Sequence, residues 1–389
     1  MPIKSPFDSA IAKPGQGSVV LSLLPPSRPS LSTLTYQYPL KLLTRSPAFI
    51  PESSVLENAT QPVHLHLLSY GGGLLPGDVL EVSIRLERRT RLVLTTPQGS
   101  TKIYKTKPRA AAGMNHHHNG GYSNSKHTGN EAFDGAAADT SKQTLRVHVE
   151  NEAALCYLPD PSVPFRHSRY EQDQKFTVNM DMSQGQTTSS SKSSSICVLD
   201  WVTQGRGSLG EDWDFHLWRG KNEVWTTDKK SGKKKLLLRD SVILNDGRGD
   251  DDCGSAGSGY GSRIRERVYP NGIVGTLILY GPVFENLSCF IMDTFASQPR
   301  IGGRDWSSSS SSSSSFSHQA YASTATADTQ TRSTGPHDVT WTAARVRAGF
   351  VLVKFGARDF ETAKEWLGGL FRKEGSVVRE FGEEALWSL

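Results

Sequence analysis

Cysteine is scarce in this chain of 389 residues. Cys156, Cys197, Cys253 and Cys289 stand far apart and form no Cys-x-x-Cys pair, which argues against a disulfide framework and a structural zinc site. That usage fits a reducing, cytoplasmic setting. Long apolar runs are missing as well. No stretch approaches the roughly 18 apolar residues of a membrane-spanning helix, and Met1 to Val20 carries neither an apolar core nor an arginine-rich amphipathic pattern. Charge of one sign is not in large excess. The net charge is +5 and the pI about 8.9, without the basic stripe and interleaved aromatics of a nucleic-acid binder, and the local cluster Lys229 to Lys235 reads as a solvated loop. Catalytic signatures are absent too: no Gly-x-Ser-x-Gly elbow, no Walker-type phosphate loop and no His-Glu-x-x-His pair.

What the chain does have is strand after strand. Val82, Ile84 and Leu86 alternate with Glu81, Ser83, Arg85 and Glu87, so one face of that segment is apolar and the other polar. Leu92 and Leu94 begin a second strand running to Thr95-Thr96-Pro97, and the two together read as a hairpin. Ser18 to Leu24, Leu34 to Leu43, Val63 to Leu67, Leu145 to Glu150, Arg169 to Met182, Ile196 to Val202, Trp213 to Trp218 and Ile273 to Tyr280 continue the series. In the strand Trp213 to Trp218, Trp213, Phe215 and Leu217 are expected on one face. With no helical period between them, these segments oppose βαβ units and favour an all-β stack, sandwich or solenoid-like sheet pair. Leu287 to Phe295 fits a helix or a strand. Near the end, Asp359 is a good N-cap for a helix through Phe360, Ala363, Leu367, Leu370 and Phe371, and Val377, Val378, Phe381 and Ala385 mark a shorter one; both are expected at one end of the stack.

Polar, low-complexity stretches interrupt this pattern at about 108–141, 183–195, 227–235, 245–263 and 302–336, the last containing the serine run Ser307 to Ser315. They read as disordered insertions, and removing them leaves roughly 280 residues, a reasonable size for one β-rich domain. Residues 1–17 read as a flexible arm ahead of a domain spanning 18–389.

The turn ahead of the first strand contains Gly71-Gly72-Gly73 and Pro76-Gly77-Asp78, residues that supply positive φ, a fixed φ and a side chain able to bond its own backbone. Gly72-Gly73, Gly77-Asp78, the alternating strand, Thr95-Thr96 and Lys102-Ile103-Tyr104 together resemble the signature of the urease accessory protein UreD (UreH) family. Tyr157-Leu158-Pro159-Asp160-Pro161, Pro164-Phe165, Asp200-Trp201 and Gly205-Arg206 follow in the family's order. The resemblance implies a mainly β fold, an extended β-helix-like stack of strands in one large domain with a small C-terminal helical portion. It also implies a non-enzymatic scaffold that binds the urease apoprotein and recruits UreF and the GTPase UreG for nickel insertion, within a complex that can be homodimeric, with no nucleic acid and no membrane. No tightly bound cofactor is implied, only transient Ni²⁺. The matching carboxylates are Asp78, Asp160 and Asp200. Asp78 reads as a turn residue, whereas Asp160 and Asp200 are open to two readings, oxygen ligands along a nickel path or acceptors for buried backbone donors.

Three other features carry weaker metal chemistry. His64 and His66 share a strand face, where solvation is the simpler reading, and His116-His117-His118 lies in an insertion without fixed geometry. Asp246, Asp250, Asp251 and Asp252 lack the spacing of an EF-hand and read as a loop. Two rival functions remain: a carboxylate- or metal-dependent enzyme on a β-stack, which expects an exposed carboxylate groove, and a nucleic-acid-binding module using the lysine cluster.

Overall fold

The computed structural model describes residues 13–45, 60–96, 102–105, 139–180, 193–227, 232–247, 264–298 and 339–389. His116 to His118, Asp250 to Asp252, Cys253 and the serine run Ser307 to Ser315 lie outside the described residues.

Three sheets organise the chain. The first runs, in spatial order, β15 (Lys234–Asn245), β14 (Leu217–Thr227), β12 (Arg169–Val178), β9 (Ser141–Val149), β6 (Val79–Leu86), β1 (Gln16–Leu24) and β2 (Arg28–Tyr36). The second runs β17 (Val339–Arg345), β18 (Val351–Ala357), β16 (Ile273–Tyr280), β13 (Ser195–Thr203), β10 (Ala154–Tyr157), β7 (Arg91–Thr95), β4 (Val63–Ser69) and β3 (Leu40–Arg45). The third is small: β11 (Val163–Pro164), β8 (Lys102–Ile103) and β5 (Gly73–Leu74). From β4 onward the chain visits the second, third and first sheets in turn, three times over. Equivalent strands of successive coils pair in parallel, β4 with β7, β7 with β10, β6 with β9 and β9 with β12. This is a β-helix-like stack, mainly β, as expected.

The expected hairpin is not there. β6 pairs with β1 and β9 in the first sheet and β7 with β4 and β10 in the second, all in parallel. Alternation fixes which side chains face inward but not which strand is the neighbour. A related signal is visible in β7, where Leu92, Val93 and Leu94 are all buried, because that sheet is covered on both faces.

Two apolar layers hold the coils. Inside, Val82, Ile84 and Leu86 of β6 meet Leu92 and Leu94 of β7, Leu145 and Val147 of β9, and Phe176 of β12. Outside the second sheet, Val93, Cys156, Cys197, Leu199, Trp201 and Val353 pack under α2 (Glu285–Ala296), α3 (Phe360–Glu374) and α4 (Ser376–Phe381), which follow the short α1 (Ile264–Val268). The helices therefore lie on a sheet face, not at an end of the stack. Asp359 caps α3 as expected, its Oδ1 accepting from the Thr362 N–H at 2.8 Å.

Several boundaries differ from expectation. β1 begins at Gln16 inside the expected arm, β9 begins at Ser141, and Lys234 and Lys235 open β15 instead of sitting in a loop. Segment Trp213 to His216 is not a strand, since Trp213 has φ of +60° and β14 starts only at Leu217, yet Trp213 and Phe215 are buried. His64 is not solvated. The C-terminal turn covers it, its Nε2 lies 4.0 Å from Glu384, and burial pushes its imidazole below the ordinary value. Among the described residues no helix is long and apolar enough to cross a membrane.

Candidate functional site

The segments that carry the signature are far apart in sequence and stacked in space. Gly73 and Leu74 pair with Lys102 and Ile103, which pair in turn with Val163 and Pro164. A Cβ on Gly73 would stand 2.6 Å from the Lys102 carbonyl oxygen, so the corner closes only around glycine. Gly72 and Gly77 have φ of +71° and +82°, whereas Gly73 is an ordinary strand residue whose role is this close approach. Asp78 is the turn residue expected, accepting from the Leu75 N–H at 2.8 Å. Tyr104 sets its ring edge-on to Phe165, with centroids 5.1 Å apart, and its hydroxyl donates to the Gly71 carbonyl at 3.3 Å. Lys102 is exposed beside it.

The paired threonines join this corner to the next coil. Thr96 Oγ1 accepts from the Asp160 N–H at 2.8 Å, and Thr95 donates to the Leu158 carbonyl at 2.9 Å. Trp201 Nε1 donates to the Pro159 carbonyl at 2.8 Å. Between these elements lies a largely enclosed cavity of about 30 Å³, lined among others by Ser69, Thr96, Tyr157, Asp160, Gln172 and Asp200. Both expected carboxylates thus reach one space. A water needs roughly 10–15 Å³ on this measure, so there is room for an ion with little hydration and none for a sugar ring.

Asp160 and Asp200 are only 9% and 7% exposed. Asp200 stands in phase with Ile196, Val198 and Val202 on the inward face of β13, so the chain directs a carboxylate into a position where alternation calls for an apolar side chain. Asn222 Nδ2 and Gln172 Nε2 donate to it at 2.7 and 3.1 Å, and Tyr170 donates to Gln172 at 2.9 Å. Burial pushes the Asp200 carboxyl up to about 6, against the pull of those two amides. Burial also raises the Tyr157 and Tyr170 phenols, which stay neutral.

Sequence reasoning missed Gln172, Asn222 and Tyr170. A signal was present: extending the inward phase of Phe176 and Val178 back along β12 reaches Gln174, Gln172 and Tyr170, all buried. His64, His66 and Asp246 do not join the cavity, and among the described residues no group of three or more His, Cys, Asp and Glu is placed to hold a metal ion. An open groove of about 550 Å³ does cross the outer face of the first sheet. Its carboxylates are held by basic neighbours, Glu171 by Arg219, Asp173 by Lys221 and Glu223 by Arg239, each at 2.9 Å.

Residues 15–385 match the family described as UreD urease accessory protein. The chain belongs to the UreD family. Relatives include urease accessory protein 4 of Cryptococcus neoformans var. grubii, 29% identical over 71% of this chain and 73% of the relative. An uncharacterized urease accessory protein ureD-like of Schizosaccharomyces pombe is 25% identical over 90% of this chain and 91% of its own length. Urease accessory protein D of Arabidopsis thaliana is 27% identical over 54% of this chain and 52% of the relative. A role in urease maturation follows for this UreD-family chain.

Proposed function

We propose that the chain is a non-enzymatic cytoplasmic scaffold that binds the urease apoprotein, recruits UreF and the GTPase UreG, and gives Ni²⁺ a passing station on its way to urease. The observation that carries the reading is the convergence of Asp160 and Asp200 on one small interior cavity in a family of urease accessory proteins. Buried oxygen donors suit a cargo ion that must leave again, because carboxylates hold Ni²⁺ less tightly than thiolates, and the buried Cys156 and Cys197 face the opposite side of the sheet. Against the enzyme reading stand the size of the cavity and the ion pairing of the open groove.

The test is maturation of urease with Asp160→Ala, Asp200→Ala and the double variant, reading urease nickel content and activity beside a pull-down of the complex. The double variant is expected to assemble with UreF, UreG and urease while delivering several-fold less nickel. Normal nickel loading would remove the ion station and leave the scaffold, whereas loss of assembly would place these residues in surface or folding roles.

A further inference from the structure

Asp200 faces two spaces. Besides the interior cavity it lines an open groove of about 270 Å³, together with Thr276, Arg267, Lys354 and the apolar residues Trp218 and Val242. Strand register shows what connects them. Across the first sheet Gln174 pairs with Asn222 and Asn222 with Asp240. Across the second, Asp200 pairs with Thr276 and Thr276 with Lys354. The two rows face each other, because Asn222 Nδ2 lies 2.7 Å from Asp200 Oδ2 and Lys354 Nζ lies 2.6 Å from Asp240 Oδ1. A polar band therefore runs from the cavity to the groove through a layer whose other inward positions are apolar, Trp218 and Val224 on β14 and Val242 and Leu244 on β15.

The band is rich in oxygen and short of donors. Asp240 is 7% exposed, and its Oδ2, like Asn222 Oδ1, is buried with no hydrogen-bond partner among the described residues. Buried acceptors in that state are unfavourable unless something positive or protic fills the gap. Arg267, the other cation at the groove, is engaged with the Asn245 carbonyl. The Lys354 ammonium is the only described cation within ion-pair distance of Asp240, and its side chain is 43% exposed, so the stem is free to swing into the groove.

We propose that Asp240, Asn222 and Asp200 form a divalent-cation site between the groove and the interior cavity, occupied by the Lys354 ammonium until an ion displaces it. Two carboxylates and an amide oxygen form a hard, weakly holding donor set, suited to a hydrated Ni²⁺ in transit. Lys354 acts as a placeholder: it neutralises Asp240 in the empty protein and raises the threshold for ion entry. This rests on the reading of the Asp200 cavity as a nickel station, but its test does not involve urease.

The experiment is equilibrium dialysis of the untagged full-length chain against Ni²⁺ alone, in a background with His116, His117 and His118 changed to alanine to remove that competing ligand set. Lys354→Ala is expected to tighten binding at least tenfold, and Asp240→Asn to weaken it at least tenfold. The double variant should show no gain over Asp240→Asn. Lys354→Met, which keeps the apolar stem, serves if the alanine variant fails to fold by circular dichroism. Affinities within twofold of the parent in both the lysine and the aspartate variants, or no binding in any, would make the band a structural ion pair only. The expected dialysis pattern combined with undisturbed urease loading by Asp160→Ala/Asp200→Ala would keep this site and remove the reading of the interior cavity as a nickel station, leaving the scaffold role in place.

Discussion

Asp200→Asn separates what the fold gains from what the site requires. The carboxyl has an ordinary value of 3.8 and is pushed to about 6 by burial, so the folded protein holds this proton more tightly than the unfolded chain does. For an acid raised in this way, the stabilising contribution is complete below about 3.8 and is lost as pH rises through about 6. A shift of about two units corresponds to about 3 kcal/mol, of which about 1.4 kcal/mol falls between pH 5 and 8. The asparagine has no such dependence. Its amide will face one of two donors, but Asn222 Oδ1 is unpartnered and can turn to accept from it. Urea unfolding at a series of pH values is therefore expected to show the variant gaining on the parent by about 1.4 kcal/mol from pH 5 to pH 8, while its urease nickel loading falls. A stability difference that stays flat with pH would refute the account of Asp200 as a charge held in the interior against solvation.

The two signature glycines should fail differently. Gly72→Ala meets nothing within 4 Å but is strained at φ of +71°, a loss of about 1–2 kcal/mol that Gly72→Asn should largely avoid. In Gly73→Ala the new methyl group runs into the Lys102 backbone and the Tyr104 ring, so neither alanine nor asparagine is tolerated, and thermal unfolding of the four variants checks the contrast. Thr96→Val strips the acceptor from the buried Asp160 N–H and should lower stability by about 1–3 kcal/mol, measured by denaturant midpoint, with nickel delivery falling because the Asp160 loop loosens. An unchanged midpoint would mean that another acceptor serves that N–H.

Strands were legible wherever one face met the core. The run Val82, Ile84 and Leu86, the nearly all-apolar β16 and the Asp359-capped α3 all lie where periodicity placed them. Pairing was not legible, because a strand's own pattern holds no information about its neighbour, and the hairpin reading of β6 and β7 failed for that reason. The site was half readable. Asp160 and Asp200 came from their resemblance to family motifs, whereas Asn222, Asp240 and Lys354 are polar residues in strands whose exposed faces are polar too. Only the phase of Asp240 with Val242 and Leu244 marks it as inward, and β15 is amphipathic too weakly for phase alone to be decisive. His64 misled in the opposite sense: its strand is covered on both faces, so a polar position in sequence became an interior one.

The coiled path of the chain has a consequence for how it tolerates added length. A spiral staircase keeps its step height however wide its landings are made, and here the strands are the steps. The stretches 106–138 and 181–192, between described segments, fall between strands of different sheets, β8 and β9 in one case and β12 and β13 in the other, never inside a strand. Lengthening a landing alters no pairing register, and each doubling of a flexible connection costs only about 0.6 kcal/mol in closure entropy. The landings are accordingly the places to graft a tag, a fluorophore or a second domain onto this protein, while one residue added to a step would turn every later side chain of that strand from the interior to the solvent.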